Sequence, residues 1–407
     1  MPEEGKKAAE IAEGPFCAPT KNIGLRGVAV ADTMISDVDG EVGRLIYRGY
    51  DITTLAEQAT YEEVVHLLLY QRLPTRSELQ AMALAMNEFR TLPGAVVQAL
   101  RALPPGTSPM DMLQAMIPLL GIYDPDLPDD GKEAHYRKAL RLIARMPLVV
   151  TAWDRVRNGR EVVPADHHLS HAANLLYTLH GRAPDAQTAR DMDVCLVLHA
   201  EQTFNASSFA ARQIASTRAH LYACIAGAVG ALSGGLHGGA NTQVKEMLEA
   251  IGSVDRVRAY VVKTLASGGR VMGMGHAVYK VLDPRAKVLG EMARRLAEKT
   301  GERRWYEITE EVRRVTAEEF AKRHGGETIW PNVDFYTPTV YTAMGIPTDM
   351  FTAIFAVARV VGWAAHVIEE KFAEAQPKPA LYRPTADYVG NYCGPQGCAW
   401  VPLDQRQ

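Results

Sequence analysis

The stretch MFTAIFAVARVVGWAAHVIEE, residues 350–370, reads as a helix that is apolar on every side except for Arg359 at its centre. A helix that is hydrophobic all round belongs in a protein core or a membrane. Its length approaches that of a span, but a fixed cation in the middle and His366 beyond it favour the core. A guanidinium cannot shed its proton, and an isolated cation among apolar groups is strongly disfavoured. Arg359 therefore needs an anion. The first acidic side chains toward the C-terminus, Glu369 and Glu370, stand roughly three turns away, so the anion comes from elsewhere in the fold or from a ligand.

A chain of 407 residues exceeds what one core usually covers, which predicts a large and a small unit. The hydrophobic share of 47% suffices for ordinary cores. A formal charge of -3, with Lys and Arg scattered, leaves no basic stripe and argues against nucleic acid as partner. Small molecules are the expected partners. The opening MPEEGKKAAEIAEGPF has neither the cationic start nor the apolar run of a signal peptide and reads as a loose tail. Cys17, Cys195 and Cys224 are dispersed, as suits a reducing cytoplasm. Cys393 and Cys398 in NYCGPQGC read as free thiols, with a local bridge or half a metal site as alternatives.

GVAVADTMISDVDGEVGRLIYRG alternates apolar and polar residues on both sides of Asp39-Gly40 and predicts a β-hairpin. Almost everything after it is helical in pattern. Thr60 with Glu63, and Thr75 with Glu78, have capping-box spacing ahead of apolar faces. HYRKALRLIARMPLVVTAWDRV, DAQTARDMDVCLVLHAEQ, SSFAARQIAST and PRAKVLGEMARRLAEK are further helical patterns. The fold class is all-α with one small hairpin. Glycine clusters at 234–239 and 268–275 are the hinge candidates.

Four stretches carry the residue types of a reaction centre. In SGGLHGGAN, His237 precedes a helix start, where the dipole favours a neutral imidazole able to donate to a carbonyl oxygen. MGMGHAVYKVLDPRA sets His276 after two glycines and makes Asp283 the N-cap, Pro284 the first helical residue and Arg285 a cation in the first turn. A cation there opposes the dipole unless an anion docks as well. WPNVDFYTPTVY puts Asp334 among Trp330, Phe335 and Tyr336, a dry setting that strengthens a carboxylate as a base. LHAEQTFNASSFAAR offers His199, Gln202, Asn205, Ser207 and Arg212 for a small anionic ligand. In DHHLSH, His167 and His171 have the i,i+4 spacing of two metal ligands, but no acidic third ligand stands at familiar spacing.

Together with ARVVGW and LYRPTADYVG, these stretches resemble, in order, the motifs of the citrate synthase family. The likeness runs from GLRGVAVADT and IYRGYDI through RPTADYVG. It implies a two-domain helical dimer, with a tail at 1–20, a large domain at 21–238 plus 346–407, and a small domain at 239–345 that closes over the substrates. By the same resemblance His237 binds the thioester carbonyl of an acyl-CoA, Asp334 removes its α-proton and His276 polarises the ketone of oxaloacetate. His199, Gln202, Asn205, Arg285 and Arg359 contact oxaloacetate, and Arg383 reaches in from the neighbouring subunit. Met272, Gly273, Met274, Gly275, Lys280 and Asn332 are the implied CoA contacts. No metal or bound redox cofactor is implied. Gln202 departs from the pattern, because many relatives carry a histidine there. The other readings are a 2-methylcitrate synthase, an inactive sensor of CoA or oxaloacetate, and a metal hydrolase built on DHHLSH.

Overall fold

The computed structural model describes residues 24–25, 27–276, 278–301, 303–390 and 397–406. It divides into two units, Met1–Asp32 and Thr33–Gln407. The second opens on a small antiparallel sheet of strands Ser36–Asp39, Arg44–Tyr47 and Tyr50–Asp51. Asp39 pairs with Arg44, so the first turn is a four-residue loop rather than a two-residue Asp-Gly turn. The Asp39 carboxylate shapes that loop by accepting from the Glu41 and Val42 amides. Its glycines are there for contact: a Cβ on Gly40 would stand 2.2 Å from the Val278 carbonyl oxygen, and one on Gly43 2.8 Å from that of Leu282. The third strand, absent from the sequence reading, follows a tight turn in which Arg48 and Gly49 both have positive φ.

Everything else regular is helical. Both capping boxes form, with Thr60 and Thr75 capping helices Tyr61–Tyr70 and Arg76–Phe89. Helix Phe351–Phe372 is buried on all sides, among Tyr61–Tyr70, Lys132–Arg157, Ala186–His199, Ala206–Ser216 and Leu221–Leu232. This is why a segment long and apolar enough to cross a membrane instead forms the core. Helices Ala240–Ile251, Val257–Ala266, Pro284–Thr300, Arg303–Arg323 and Val333–Ala343 pack chiefly on one another.

Glu369 and Glu370 do not serve Arg359. Arg212 takes both, at 2.7 and 2.8 Å, with all three side chains fully buried. Arg212, read from sequence as part of an anion site, is thus already satisfied within the fold. The free-thiol reading also fails at Cys398, which is disulfide-bonded and so has no free thiol. Cys393 and Cys17 lie outside the described residues. Cys195 and Cys224 are free and buried.

Candidate active site

A cleft of about 1050 Å³ is lined by Gln202, Asn205, His237, His276, Asn332 and Asp334, among others. His237 stands in the loop between helices Leu221–Leu232 and Ala240–Ile251. Thr352, just inside the core helix, pins this loop by donating to the Gly238 carbonyl (3.1 Å) and to Asn241 Oδ1 (3.2 Å). The imidazole Nε2 is 2.8 Å from Ser207 Oγ and accepts from the Ser207 amide at 3.3 Å. An amide N–H can only donate, so the ring proton sits on Nδ1. Burial, reinforced by the Arg359 charge, pushes the His237 pKa down to about 4. At neutral pH this is a neutral donor.

His276 has the opposite tautomer. The Val278 and Tyr279 amides donate to its Nδ1 at 3.0 and 3.1 Å, which leaves the proton on Nε2. Burial, with Arg285 adding to it, holds its pKa near 4. The Gln202 side-chain amide meets Nε2 at 3.3 Å. The atom that meets it is the amide nitrogen, itself a donor, so Gln202 as placed offers the Nε2 proton of His276 no acceptor.

Asp334 lies in the first turn of helix Val333–Ala343, whose N-cap, Asn332, accepts from the Asp334 amide. Its Oδ1 is buried without a hydrogen-bond partner. Burial raises its pKa to about 6 against the opposing pull of Arg285 and Arg359. Residues 330–332 are laced to 273–275: the Gly275 amide donates to the Trp330 carbonyl, the Asn332 amide to the Gly273 carbonyl, and Asn332 Nδ2 to the Gly275 carbonyl at 2.8 Å. A single β-bridge joins Met274 to Pro331.

Arg359 donates through Nε to the His199 carbonyl at 2.6 Å and stacks on Phe355, 4.7 Å from guanidinium carbon to ring centre. Its Nη1 and Nη2 are buried and have no acceptor. Arg285 has a local anion after all, since Asp283, the N-cap, also takes Nε and Nη2 at 3.0 and 2.7 Å. Its Nη1 remains buried without a partner. Neither arginine lines the cleft, but their charges reach its groups: Arg359 acts on His237, Arg285 on His276, and both on Asp334.

The cleft also takes in Met272, Gly273, Met274 and Gly275. Asn205 borders it, but its side chain caps helix Ala206–Ser216 and donates to the Gln202 carbonyl. His199 is set behind the cleft, with Nδ1 on the Cys195 carbonyl and Nε2 against Thr337. Lys280 is exposed and paired with Glu41. Arg383 is exposed and not among the residues lining this chain's cleft. His171 is buried against the Tyr61 ring while His167 faces solvent, so DHHLSH does not assemble a pair. Sequence reading missed Thr352 and Glu201. Glu201 adjoins Gln202 and carries a charge in a buried segment, which was its available signal.

Fold and cleft define a helical enzyme whose cleft gathers two neutral histidines and a buried carboxylate. The family model described as "Citrate synthase, C-terminal domain" matches residues 24–385, and the chain belongs to the citrate synthase family. The citrate synthase of Synechocystis sp. is 41% identical over 94% of this chain and 93% of its own. The 2-methylcitrate synthase of Shewanella oneidensis is 36% identical over 90% and 94%. The ternary complex of carboxymethyl coenzyme A and oxaloacetate with citrate synthase from Thermoplasma acidophilum superposes with a TM-score of 0.85 at 30% identity, covering 93% of this chain and 98% of that one.

Proposed function

We propose that the protein condenses acetyl-CoA with oxaloacetate and hydrolyses the resulting citryl-CoA to citrate and CoA. The observation that carries the reading is the set of three buried guanidinium N–H ends without acceptors, two on Arg359 and one on Arg285. A rigid planar fork suits a carboxylate, and a substrate with two carboxylates answers two such arginines. His276, with its proton on Nε2, donates to the ketone oxygen and makes the carbonyl carbon electrophilic. His237 donates from Nδ1 to the thioester oxygen while Asp334 takes a proton from the acetyl methyl group, giving the enol. The enol carbon bonds to the ketone carbon, whose oxygen gains a proton. Water then attacks the thioester, and CoA leaves as the free thiol.

Arg383 completes oxaloacetate binding from a second subunit in this reading, which makes the working unit a homodimer. Helices between residues 239 and 345 form the part that closes in this reading. CoA is substrate and product, with no other cofactor. The second reading is propionyl-CoA as acyl donor, favoured by the likeness to a 2-methylcitrate synthase, since one extra methyl group is worth only ~1–3 kcal/mol of discrimination in a pocket. Steady-state kinetics with acetyl-CoA and propionyl-CoA at saturating oxaloacetate, read as thiol release, tests both. A higher kcat/KM with acetyl-CoA is expected, the reverse order gives the second reading, and no thiol release with either overturns the proposal.

A further inference from the structure

Arg359 and the residues that hold Glu201 in place lie along the core helix. Arg359 Nε is fixed by the carbonyl of His199, two residues before Glu201. Gly362, one turn further along the same face, leaves just the space that Glu201 occupies, since a Cβ there would stand 2.2 Å from Glu201 Oε2. Glu201 is fully buried. Its Oε1 accepts from Ser36 Oγ at 3.1 Å and from His366 Nε2 at 2.9 Å, while Oε2 has no hydrogen-bond partner. The other ring nitrogen of His366, Nδ1, faces Arg212 Nη1 at 3.1 Å. Arg212 is in turn occupied by Glu369 and Glu370. Burial alone would raise the Glu201 carboxyl, but His366 and, at longer range, Arg359 hold it down, and of these Arg359 is the one whose terminal nitrogens have no acceptor.

We propose that Glu201 is a positioning residue that acts as the resident counter-charge of Arg359, holding the guanidinium in place before the substrate arrives and opposing the substrate's carboxylate once it does. The inference rests on oxaloacetate being the ligand of Arg359. Two buried ions of opposite sign compensate one another without touching, and each would be costlier without the other. A carboxylate from the substrate then takes the free N–H ends against the field of Glu201, so the site gives up affinity in return for an arginine that stays charged and in place before the substrate binds.

The test is Glu201→Gln, which retains the shape and the acceptor facing Ser36 and His366 but removes the charge. Oxaloacetate binding by calorimetry, oxaloacetate KM and kcat are measured together, with thermal unfolding of the ligand-free protein. The expected result is oxaloacetate binding at least five-fold tighter, with kcat moved less than the dissociation constant, and a lower unfolding temperature when ligand-free. Unchanged or weaker binding overturns the inference. Glu201→Asp gives an independent check if the amide variant does not fold. Shortening the side chain disturbs the contacts to Ser36 and His366 but keeps the charge, so near wild-type affinity supports a counter-charge, while weakened binding shows that those contacts were what mattered. Wild-type protein that neither binds nor turns over oxaloacetate would overturn the functional reading instead, a result distinct from either outcome at Glu201.

Discussion

Asp334 shows what the site costs the fold. Its carboxyl titrates near 6 rather than 3.8, so between those values the folded protein holds a proton the unfolded chain has lost. Stability attributable to this residue is thus full at low pH and falls as pH rises through that window. At pH 7 the loss is about 3 kcal/mol, taking ~1.4 kcal/mol per unit. Asp334→Asn should raise the unfolding free energy by up to that amount while removing most turnover, because the amide has the carboxylate's shape without its basicity. Denaturant melts and kinetics on the same preparation check both, and a variant that retains near-normal turnover would displace Asp334 as the base. In the wild type, kcat/KM for acetyl-CoA should fall about tenfold per pH unit below 6 and level off above it, since the base must be ionised. His237 and His276, held near 4, add no inflection between 6 and 8. An inflection near 6.5 that vanishes in a histidine variant would contradict this.

At the level of elements, the core helix sets the position of several groups at once. Gly362→Ala would drive a methyl to 2.4 Å from the Ala200 carbonyl as well as into Glu201, and a backbone oxygen cannot simply rotate away. A loss of about 1–3 kcal/mol is expected, together with a raised oxaloacetate KM, because the displaced segment is the one whose His199 carbonyl fixes Arg359. Thr352→Val keeps the volume but loses both hydroxyl contacts to the His237 loop, and should cost ~1–3 kcal/mol. It should lower kcat more than it alters oxaloacetate KM, as a small misplacement of a donor is enough to slow a reaction. Much at this scale was readable beforehand. The two capping boxes and Asp283-Pro284 follow from local chemistry, so they appear where their residues do. The embedded Arg359 flagged a ligand because no local partner was in reach. The pairing of Arg212 with Glu369 and Glu370 was not legible: it joins residues more than 150 positions apart, and no periodicity encodes which buried acid meets which base. The Arg48-Gly49 turn was missed for a different reason, since its third strand has only two residues and so no alternation to read.

For the whole molecule, the exposed position of Arg383 is the test of assembly. If it serves a neighbouring subunit, Arg383→Ala and Asp334→Asn homodimers each carry two defective sites. Unfolded and refolded together, mixed dimers hold one site with both defects and one with neither, and activity should reappear. Confirmed heterodimers without activity would return Arg383 to its own subunit's site or to none. The lacing of 273–275 to 330–332 bears on timing. It joins the segment ending at His276 to the start of the Asp334 helix, so in the proposed reaction the group that readies the ketone and the group that deprotonates the thioester ride on one small piece. His237 is fastened separately, through Thr352, to the core helix. Movement of one part against the other leaves the first pair in step and changes only their distance from His237. On the proposed function, the ketone would be captured and activated before any carbanion formed, and deprotonation would wait until the third group was in place, so the reactive species would arise only where its electrophile was already waiting.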